Sequence, residues 1–390
     1  MTQPQNQASA NTLIFIPDIS GFTKFVNETE IDHAKHIIEE LLEVLIDSNE
    51  IGLDLSEIEG DALLFYRNGK APTTAELLAQ IQRMYVNFHA HLKKYDTHRI
   101  CSCGACCSAT NLSLKFVAHY GQVVNKTVKG RTKLFGKDVI VAHRLLKNKV
   151  ESDEYSLFSN DLVRACATWL QLEEVSWAPV GHIEEVYDFG KAKYCYIGLE
   201  ALEEHIPEPK KEDYSMPGLT SKFMECGSVI EAPVDLVFDV LSDMGFRHEW
   251  LTHVKDGDQL NHQISQNGSS HRCVIKGDKS DPTMVAHGFD FAPNKITFVE
   301  TNHRDKSASV WVLQSIGKGL TRLEYTMYCK PNFFKKALFN LMMKKKYDKI
   351  NDANLKLLNE YCKGLVAKGR NHSHRIVLPK SVLHVESIAA

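Results

Sequence analysis

A change of hydrophobic period near residue 20 constrains the fold of this chain more than any other feature. Residues 12–17 (TLIFIP) form a short apolar run followed by a turn signal, which is typical of a buried strand. From Ser20 to about Ser48 the apolar residues recur every three or four positions, which predicts one long amphipathic helix capped by Ser20 or Thr23. A buried strand that leads into such a helix favours a sheet with helices packed on its face.

The same alternation continues through the first 150 residues. Glu59-Gly60-Asp61 separates two apolar runs and predicts a hairpin turn. Residues 73–95 have helical spacing, residues 112–119 have the pattern of a strand, and residues 139–147 have that of a helix. The order strand, helix, hairpin, helix, strand, helix indicates α and β elements arranged around one sheet.

The length of 390 residues favours two domains. A stretch rich in proline and charge lies just after residue 200 and marks the expected boundary. We therefore expect the following division: a flexible tail over 1–10, a first domain over 11–200, a linker over 201–219, a second domain over 220–365 and a second tail over 366–390.

The composition excludes several classes of protein. Apolar residues make up 43% and charged residues 24%, as in ordinary globular domains, and the net charge of -3 gives no case for a nucleic-acid partner. The sequence has no apolar run long enough for a transmembrane segment, and its first ten residues lack the apolar core of a secretory signal. We expect a cytoplasmic location, where the 10 cysteines are thiols or metal ligands rather than disulfides.

Two aspartates are candidate metal ligands. Asp18 ends the first predicted strand and Asp61 follows the hairpin glycine; each alone also fits a helix cap or an ordinary turn. If neighbouring strand ends bring both carboxylates to one edge of the sheet, their hard oxygens suit Mg²⁺ or Mn²⁺ shared with a phosphate. The backbone amides of four residues at the start of the helix would then face that phosphate: Ser20, Gly21, Phe22 and Thr23.

Four segments resemble, in order, the motifs of class III adenylyl and guanylyl cyclases: IPDISGFTKF, EIEGDALLFY, LKFVAHYGQV and GRTKLFGKDVIVAHRLL, with GHIEEVYDFG near 181–190 resembling the family's closing strand. The resemblance implies a ferredoxin-like class III cyclase fold. It also implies that Asp18, Ile19 and Asp61 hold two Mg²⁺ or Mn²⁺ ions per active site. A nucleoside triphosphate would bind there, and its ribose 3′-hydroxyl would attack the α-phosphorus with loss of pyrophosphate. The family works as a head-to-tail homodimer.

The second wall of the implied cyclase site departs from the family pattern. Arg144 matches the family's transition-state arginine, but the family's asparagine falls on Ile140, which cannot donate a hydrogen bond. Glu57 stands at a purine-selecting position, where guanylyl cyclases carry glutamate, and Lys133 stands at its partner position. The two side chains could bind guanine, or they could pair with each other and fill the base pocket. The implied function is therefore either cyclisation of GTP or ATP, or nucleotide binding and dimerisation without catalysis.

Four cysteines lie within seven residues: Cys101, Cys103, Cys106 and Cys107. Clustered thiolates favour zinc or an iron–sulfur centre, whereas a cysteine-rich buried strand or a reactive loop needs no metal. A complete metal site would need His98 or a residue of another chain. The segment is not part of the cyclase pattern and resembles an insert found in a bacterial cyclase-related group.

The C-terminal part shows a strand over 222–231, a helix over 234–241, alternating strands between 270 and 330, and a long helix over 332–365. In the long helix, phenylalanines and leucines alternate with lysines, which fits either a helix on a membrane surface or a core helix with a solvated face.

The segment CGSVIEAPVDLVFDVLSDMGFRHEWLTHV resembles the opening of the START-like helix-grip fold, also known as SRPBCC or polyketide cyclase-like. This resemblance implies a curved antiparallel sheet around the last helix and a cavity for a small hydrophobic ligand. Ligand binding there could gate the first domain or, in the non-catalytic alternative, serve as a sensor. Both domains are thus expected to be α+β.

Overall fold

The structure is a computed structural model, and it describes these residues: 9–29, 31–101, 103–128, 131–166, 175–210, 213–243, 246–259, 267–275 and 283–369. The chain divides into two compact units. The first comprises Met1–Tyr95 and Gly104–Pro209, and the second comprises Lys210–Ala390 with the short segment Asp96–Cys103. The tails expected over 1–10 and 366–390 lie almost entirely outside the described residues.

The first unit is built on one large sheet. Its strands are β1 (Ala10–Ser20), β2 (Asp54–Glu59), β3 (Ala62–Asn68), β4 (Ser113–Val128), β5 (Arg131–Phe135), β6 (Tyr155–Ser159), β7 (Val180–Tyr187) and β8 (Gly190–Gly198). The helices of this part of the chain are α1 (Phe22–Glu28), α2 (Ile31–Asp47), α3 (Thr74–His98), α4 (Gly104–Ser108), α5 (Lys137–Leu145) and α6 (Asn160–Ala165).

The strand order confirms the predicted ferredoxin-like fold. Over the described residues, the sheet runs β2-β3-β1-β4-β6-β8-β7, with β5 paired to β4. Strand β1 is antiparallel to both β3 and β4. Helices α1 and α2 follow β1, and α3 follows β3, so the first four strands have the βαββαβ connectivity of that fold.

The single helix predicted from Ser20 to Ser48 is wrong, because the structure has two helices there. Thr29 adopts an extended conformation (φ -129°, ψ 172°) that ends α1. Its hydroxyl donates to the carbonyl oxygen of Phe25 at 2.5 Å, so the side chain competes with the helical hydrogen bonds. The predicted caps are also wrong: the N-cap is Gly21, whose φ of 87° few other residues adopt readily.

Strand β1 forms the centre of the first core, because strands flank it on both sides. Six consecutive residues from Thr12 to Pro17 carry its apolar run, and Phe15 stacks on Phe116 of β4 with ring centroids 5.5 Å apart. Burying a side chain such as Phe15 contributes about 1.5–3 kcal/mol. This packing fixes the end of β1, where Asp18 lies.

The second unit is an antiparallel sheet with a long C-terminal helix. Its strands are β9 (Ser221–Ile230), β10 (Val254–Gln259), β11 (Ser269–Ile275), β12 (Thr283–Ala292), β13 (Lys295–Asn302), β14 (Ser307–Gly317) and β15 (Leu320–Cys329). Its helices are α7 (Val234–Ser242), α8 (Arg247–Trp250), α9 (Phe333–Met342) and α10 (Lys344–Ala367). Within the described residues the strand order is β10-β11-β12-β13-β14-β15-β9, which confirms the predicted helix-grip architecture; β10 was not predicted.

The one long closing helix predicted over 332–365 is also wrong, since the helix is interrupted at Met343. The two parts differ in burial. Helix α10 buries Leu355, Leu358 and Cys362 in the core, as the core-helix alternative requires. The apolar side chains of α9 are instead exposed, with Phe333 82% and Phe334 83% accessible.

The second core is aromatic. Phe298 stacks on Trp311 with ring centroids 5.9 Å apart, and Phe238 of α7 meets Phe298 edge to face. Trp250 is 2% exposed and belongs to this core. Among the described residues, no helix is both long and apolar enough to span a membrane.

Candidate functional site

The structure brings Asp18 and Asp61 to the same end of neighbouring strands. Asp18 of β1 pairs in register with Ala62 of β3, and Asp61 is the residue before Ala62. The backbone N–H of Ile19 donates to the carbonyl oxygen of Asp61 at 3.0 Å, which ties the end of β1 to the β2–β3 turn. The sheet register therefore places the two carboxylates together, and a metal-binding role for them remains a prediction.

Both carboxyls of this pair have a pKa above its ordinary value. Burial raises the pKa of Asp18, the ammonium of Lys115 opposes that rise, and the negative charge of Asp61 adds to it. Burial also raises the pKa of Asp61. Since both carboxyls are held above their ordinary pKa, a cation bound beside them would favour their ionised forms and lower both pKa values.

Lys115 is a residue of this site that the sequence reasoning missed. It lies opposite Asp18 in the β1–β4 register, and its Nζ is 3.2 Å from Oδ2 of Asp18. The sequence did contain one signal of this contact. Lys115 stands between Leu114 and Phe116, which are both buried, and an isolated charge in an apolar strand requires a partner.

The four residues predicted to face a phosphate surround the start of α1. Ser20 ends β1 and pairs with Ser113, Gly21 turns the chain, and Phe22 and Thr23 begin the helix. Phe22 lines a mainly apolar groove of about 790 Å³ between α1, α2 and the β2–β3 hairpin. The groove lies beside the turn that carries Asp61, since Gly60 also lines it.

At the predicted purine-selecting positions, Lys133 donates to Glu57, with Nζ and Oε2 3.0 Å apart. Of the two arrangements open from the sequence, the structure has the one in which the side chains pair with each other. Both side chains are partly exposed, so a ligand that binds either one has only a weak ion pair to break.

Arg144 and Ile140 lie one turn apart on α5 and are both exposed. Arg144 Nη2 is 2.8 Å from Oδ2 of Asp188 in the β7–β8 turn. Ile140 is 58% exposed, which is unusual for an isoleucine on a globular surface. This face of α5 is therefore open to a second molecule.

Asp138 is a second residue that the sequence reasoning missed, and it explains why β4 has a glycine at position 121. The backbone N–H of Gln122 donates to Asp138 Oδ2 at 2.7 Å, and His119 Nε2 lies 3.5 Å from Oδ1. Burial lowers the pKa of His119, although Asp138 opposes the shift. A Cβ on Gly121 would lie 2.3 Å from Cγ of Asp138, so a larger residue there would force the Asp138 side chain to move. These contacts of Asp138 thus tie the start of α5 to β4 and help to position Arg144.

Three of the four clustered cysteines come together with a histidine. The ligand atoms of His33, Cys101, Cys103 and Cys106 all lie within 4.8 Å of one another. Cys107 is exposed and lies outside this group. His33, on α2, was missed because its distance along the sequence from the cysteines hides the contact.

The second unit contains a buried polar network. Arg247 pairs with Glu300, and Trp311 Nε1 donates to Glu300 Oε2 at 2.9 Å. Burial would raise the pKa of Glu300, but the charges of Arg247 and His271 hold it below its ordinary value. Burial lowers the pKa of His271 to about 4, and within the described part of the chain its Nε2 has no hydrogen-bond partner.

Comparisons with known proteins identify the first part of the chain at the level of a family. A Mycobacterium tuberculosis protein called "Uncharacterized protein Rv2561/Rv2562" is 39% identical over 180 residues, which cover 46% of this chain and 80% of that protein. The chain belongs to the same family as this mycobacterial protein. A family described as "Protein of unknown function (DUF2652)" matches residues 38–155, and "Polyketide cyclase / dehydrase and lipid transport" matches residues 227–363.

Solved structures similar to the chain include nucleotidyl cyclases. A bacterial light-regulated adenylyl cyclase is 15% identical with a TM-score of 0.37, covering 50% of this chain and 56% of its own. The adenylyl cyclase CyaB of P. aeruginosa is 14% identical with a TM-score of 0.32, covering 49% and 94%. A guanylyl cyclase domain from Blastocladiella emersonii is 16% identical with a TM-score of 0.34, covering 48% and 96%. The chain spans about half of the light-regulated enzyme. Similarities of this size do not establish an activity.

Proposed function

We propose that the first unit binds a nucleoside triphosphate through Mg²⁺ or Mn²⁺ at Asp18 and Asp61 and converts GTP or ATP into the 3′,5′-cyclic nucleotide and pyrophosphate. The observation that carries this proposal is the meeting of two carboxylates, both with raised pKa, at one edge of the sheet. Such a pair binds a hard divalent cation through oxygen ligands. The backbone carbonyl of Ile19 is the third ligand we assign to the ions.

The chain's own residues would act by binding and positioning. Asp18 and Asp61 would hold the ions, which when bound would neutralise the phosphates and favour ionisation of the ribose 3′-hydroxyl. Arg144 would serve the site of a second copy in a head-to-tail homodimer, which is supported by the exposed face of α5. Ile140 cannot donate a hydrogen bond on that face. Loss of one hydrogen-bond donor to the transition state slows comparable reactions about 10²–10³-fold. We therefore propose slow turnover.

A second candidate function is nucleotide binding or dimerisation without catalysis. Two ion pairs favour it: Lys115 with Asp18, and Lys133 with Glu57. In the first pair, an ammonium group already lies beside one of the carboxylates that would bind metal. In the second pair, the side chains that would bind the purine base are bonded to each other.

For the second unit we propose a small hydrophobic ligand with a polar group. Support comes from the aromatic core around Phe298 and Trp311 and from the buried His271, whose Nε2 would be satisfied by a ligand acceptor or donor. The match to a family described as polyketide cyclase, dehydrase and lipid transport points to the same ligand class. Ligand binding would gate the first unit.

The test is an assay of the purified full-length protein with Mn²⁺ and either GTP or ATP, followed by chromatography for cyclic product. The enzyme proposal expects slow product formation that Asp61→Ala abolishes. Nucleotide binding without product would favour the second candidate. If neither binding nor product is detected, both are wrong.

A further inference from the structure

We propose that His33, Cys101, Cys103 and Cys106 form a structural zinc site. Their ligand atoms lie within 4.8 Å of one another. A tetrahedral zinc ion with Zn–S bonds of about 2.3 Å keeps its ligands about 3.8 Å apart. The four side chains therefore need to close by only a small distance to surround one ion. This site does not depend on the nucleotide site proposed above.

The local path of the chain preorganises these ligands. The three cysteines belong to one six-residue stretch, and the backbone N–H of Cys103 points at Cys101 Sγ at 3.4 Å. Helix α4 begins at Gly104 and directs Cys106 toward α2, where its Sγ lies 3.5 Å from Nδ1 of His33. The segment before α4 thus carries Cys101 and Cys103, α4 carries Cys106, and the first turn of α2 carries His33.

The ligand set selects zinc over other metals. Three thiolates and one imidazole form a standard structural zinc set, and sulfur excludes Mg²⁺ and Ca²⁺. An iron–sulfur cluster distributes its cysteines over several irons and usually takes four thiolates, which fits this compact group less well. Four protein ligands close the coordination sphere, so the ion would be structural and would stabilise the connection between α3 and β4.

The experiment measures metal in the full-length protein purified anaerobically. We expect about one zinc per chain in the wild type and in Cys107→Ser, the matched control, and a loss of at least half in Cys103→Ser and Cys106→Ser. Because the variants could fail to fold, the wild type is also exchanged with Co²⁺, which gives intense visible bands only in a tetrahedral thiolate site. Less than about half an equivalent of zinc, iron in its place, or equal loss in Cys107→Ser would overturn the proposal.

A separate observation in the second unit carries an independent inference. Helix α9 exposes one continuous apolar face: Phe333 (82%), Phe334 (83%), Leu338 (58%), Leu341 (84%) and Met342 (68%). At 3.6 residues per turn these positions fall on one half of the helix. Phe339 lies on the other half and packs on Phe223 of β9, with ring centroids 4.2 Å apart. The helix is therefore held by one face and presents the other outward.

We infer that this face docks on an anionic lipid surface. From Lys330 to Tyr347 the sequence has six lysines and no acidic residue. Lys336 on α9 and Lys345 and Lys346 at the start of α10 are exposed. An anionic bilayer satisfies both features, since it takes apolar side chains into its interface and attracts nearby lysines. A second copy of the chain would bring the same positive charge to the contact and be repelled.

The inference is tested by sedimentation of the full-length protein with phosphatidylcholine vesicles, with and without phosphatidylserine. We expect binding to the anionic vesicles that falls on the order of tenfold in Phe334→Ser/Leu341→Ser and in Lys345→Gln/Lys346→Gln. Ile316→Ser, which changes an exposed isoleucine on another part of the unit, is the control and should bind as the wild type does. Equal binding by all variants, no binding to anionic vesicles, or self-association that Phe334→Ser/Leu341→Ser abolishes would each contradict it.

Discussion

Nζ of Lys115 lies 3.2 Å from Oδ2 of Asp18, so the acidic pair at the end of β1 already has one cation beside it. The register places the two residues directly opposite each other on β4 and β1. Lys115 lowers the pKa of both Asp18 and Asp61, against the effect of burial. A divalent ion that binds both carboxylates must therefore compete with this ammonium group.

Replacing Lys115 with methionine should strengthen divalent-metal binding. The substitution keeps most of the aliphatic stem and removes the competing charge, so we expect the dissociation constant for Mn²⁺ to fall about tenfold, equivalent to about 1.4 kcal/mol. Calorimetric titration of Mn²⁺ into the full-length protein measures the change. Lys70→Met, at an exposed position, serves as the control. Weaker Mn²⁺ binding in Lys115→Met would show that Lys115 supports the site.

Breaking the pair between Lys133 and Glu57 should alter nucleotide preference and leave stability almost unchanged. Lys133→Ala frees the carboxylate of Glu57 to accept from guanine, so the thermal shift caused by GTP with Mn²⁺ should exceed that caused by ATP. An exposed ion pair contributes about 0–1 kcal/mol, so the unliganded protein should unfold at nearly the same temperature. If GTP and ATP raise the unfolding temperature by equal amounts in wild type and variant, positions 57 and 133 do not select the base.

Gly121→Ala should destabilise the first unit. The new Cβ would lie 2.3 Å from Cγ of Asp138, which must then move away from the backbone N–H of Gln122. We expect a loss of about 1–3 kcal/mol in the free energy of unfolding, measured in urea. The matched control is Gly364→Ala in α10, where a Cβ meets nothing within 4 Å; there alanine should stabilise by up to about 1 kcal/mol. Equal effects of the two substitutions would refute the packing argument.

His271 should make the second unit sensitive to acid. Its pKa falls from an ordinary 6.5 to about 4 on folding, mainly through burial. The unfolded chain therefore takes up a proton between these values while the folded chain does not, so the free energy of unfolding decreases as pH falls below 6.5. We expect His271 to account for about 2 kcal/mol between pH 7 and pH 5.

Urea unfolding of wild type and His271→Gln across this pH range isolates that contribution. The variant should lose part of the acid sensitivity, whereas His248→Gln, which changes an exposed histidine on α8, should keep all of it. Parallel pH profiles for wild type and His271→Gln would count against the burial argument.

Local patterns predicted the elements of the fold well, and the errors have local physical causes. Hydrophobic period and turn residues identified β1, the β2–β3 hairpin and six strands of the second unit. The same period continued through the breaks at Thr29 and Met343, because the helices on either side of each break carry apolar residues at the same spacing, although α9 exposes them and α10 buries them. Periodicity therefore could not show where one helix ends and the next begins.

The candidate sites were predictable only where the contacts follow from a hairpin turn or from short spacing along the sequence. Asp18 and Asp61 could be paired from the hairpin, and the three cysteines from their spacing. Lys115 and His33 depend on which strand or helix lies alongside, which one sequence does not specify. The exposure of the α9 face likewise depends on tertiary packing, since a core helix and a surface helix can share one pattern.

The metal–nucleotide site at Asp18 and Asp61 is tested by titrating the full-length protein with a non-hydrolysable GTP analogue, with and without Mn²⁺, in wild type and in Asp61→Asn. This substitution keeps the shape of the side chain and removes the charge that pairs with a cation. We expect saturable binding of about one nucleotide per chain that requires Mn²⁺ and is lost in the variant. Binding that is independent of Mn²⁺, or equal in the two proteins, would contradict a metal–nucleotide site at Asp18 and Asp61.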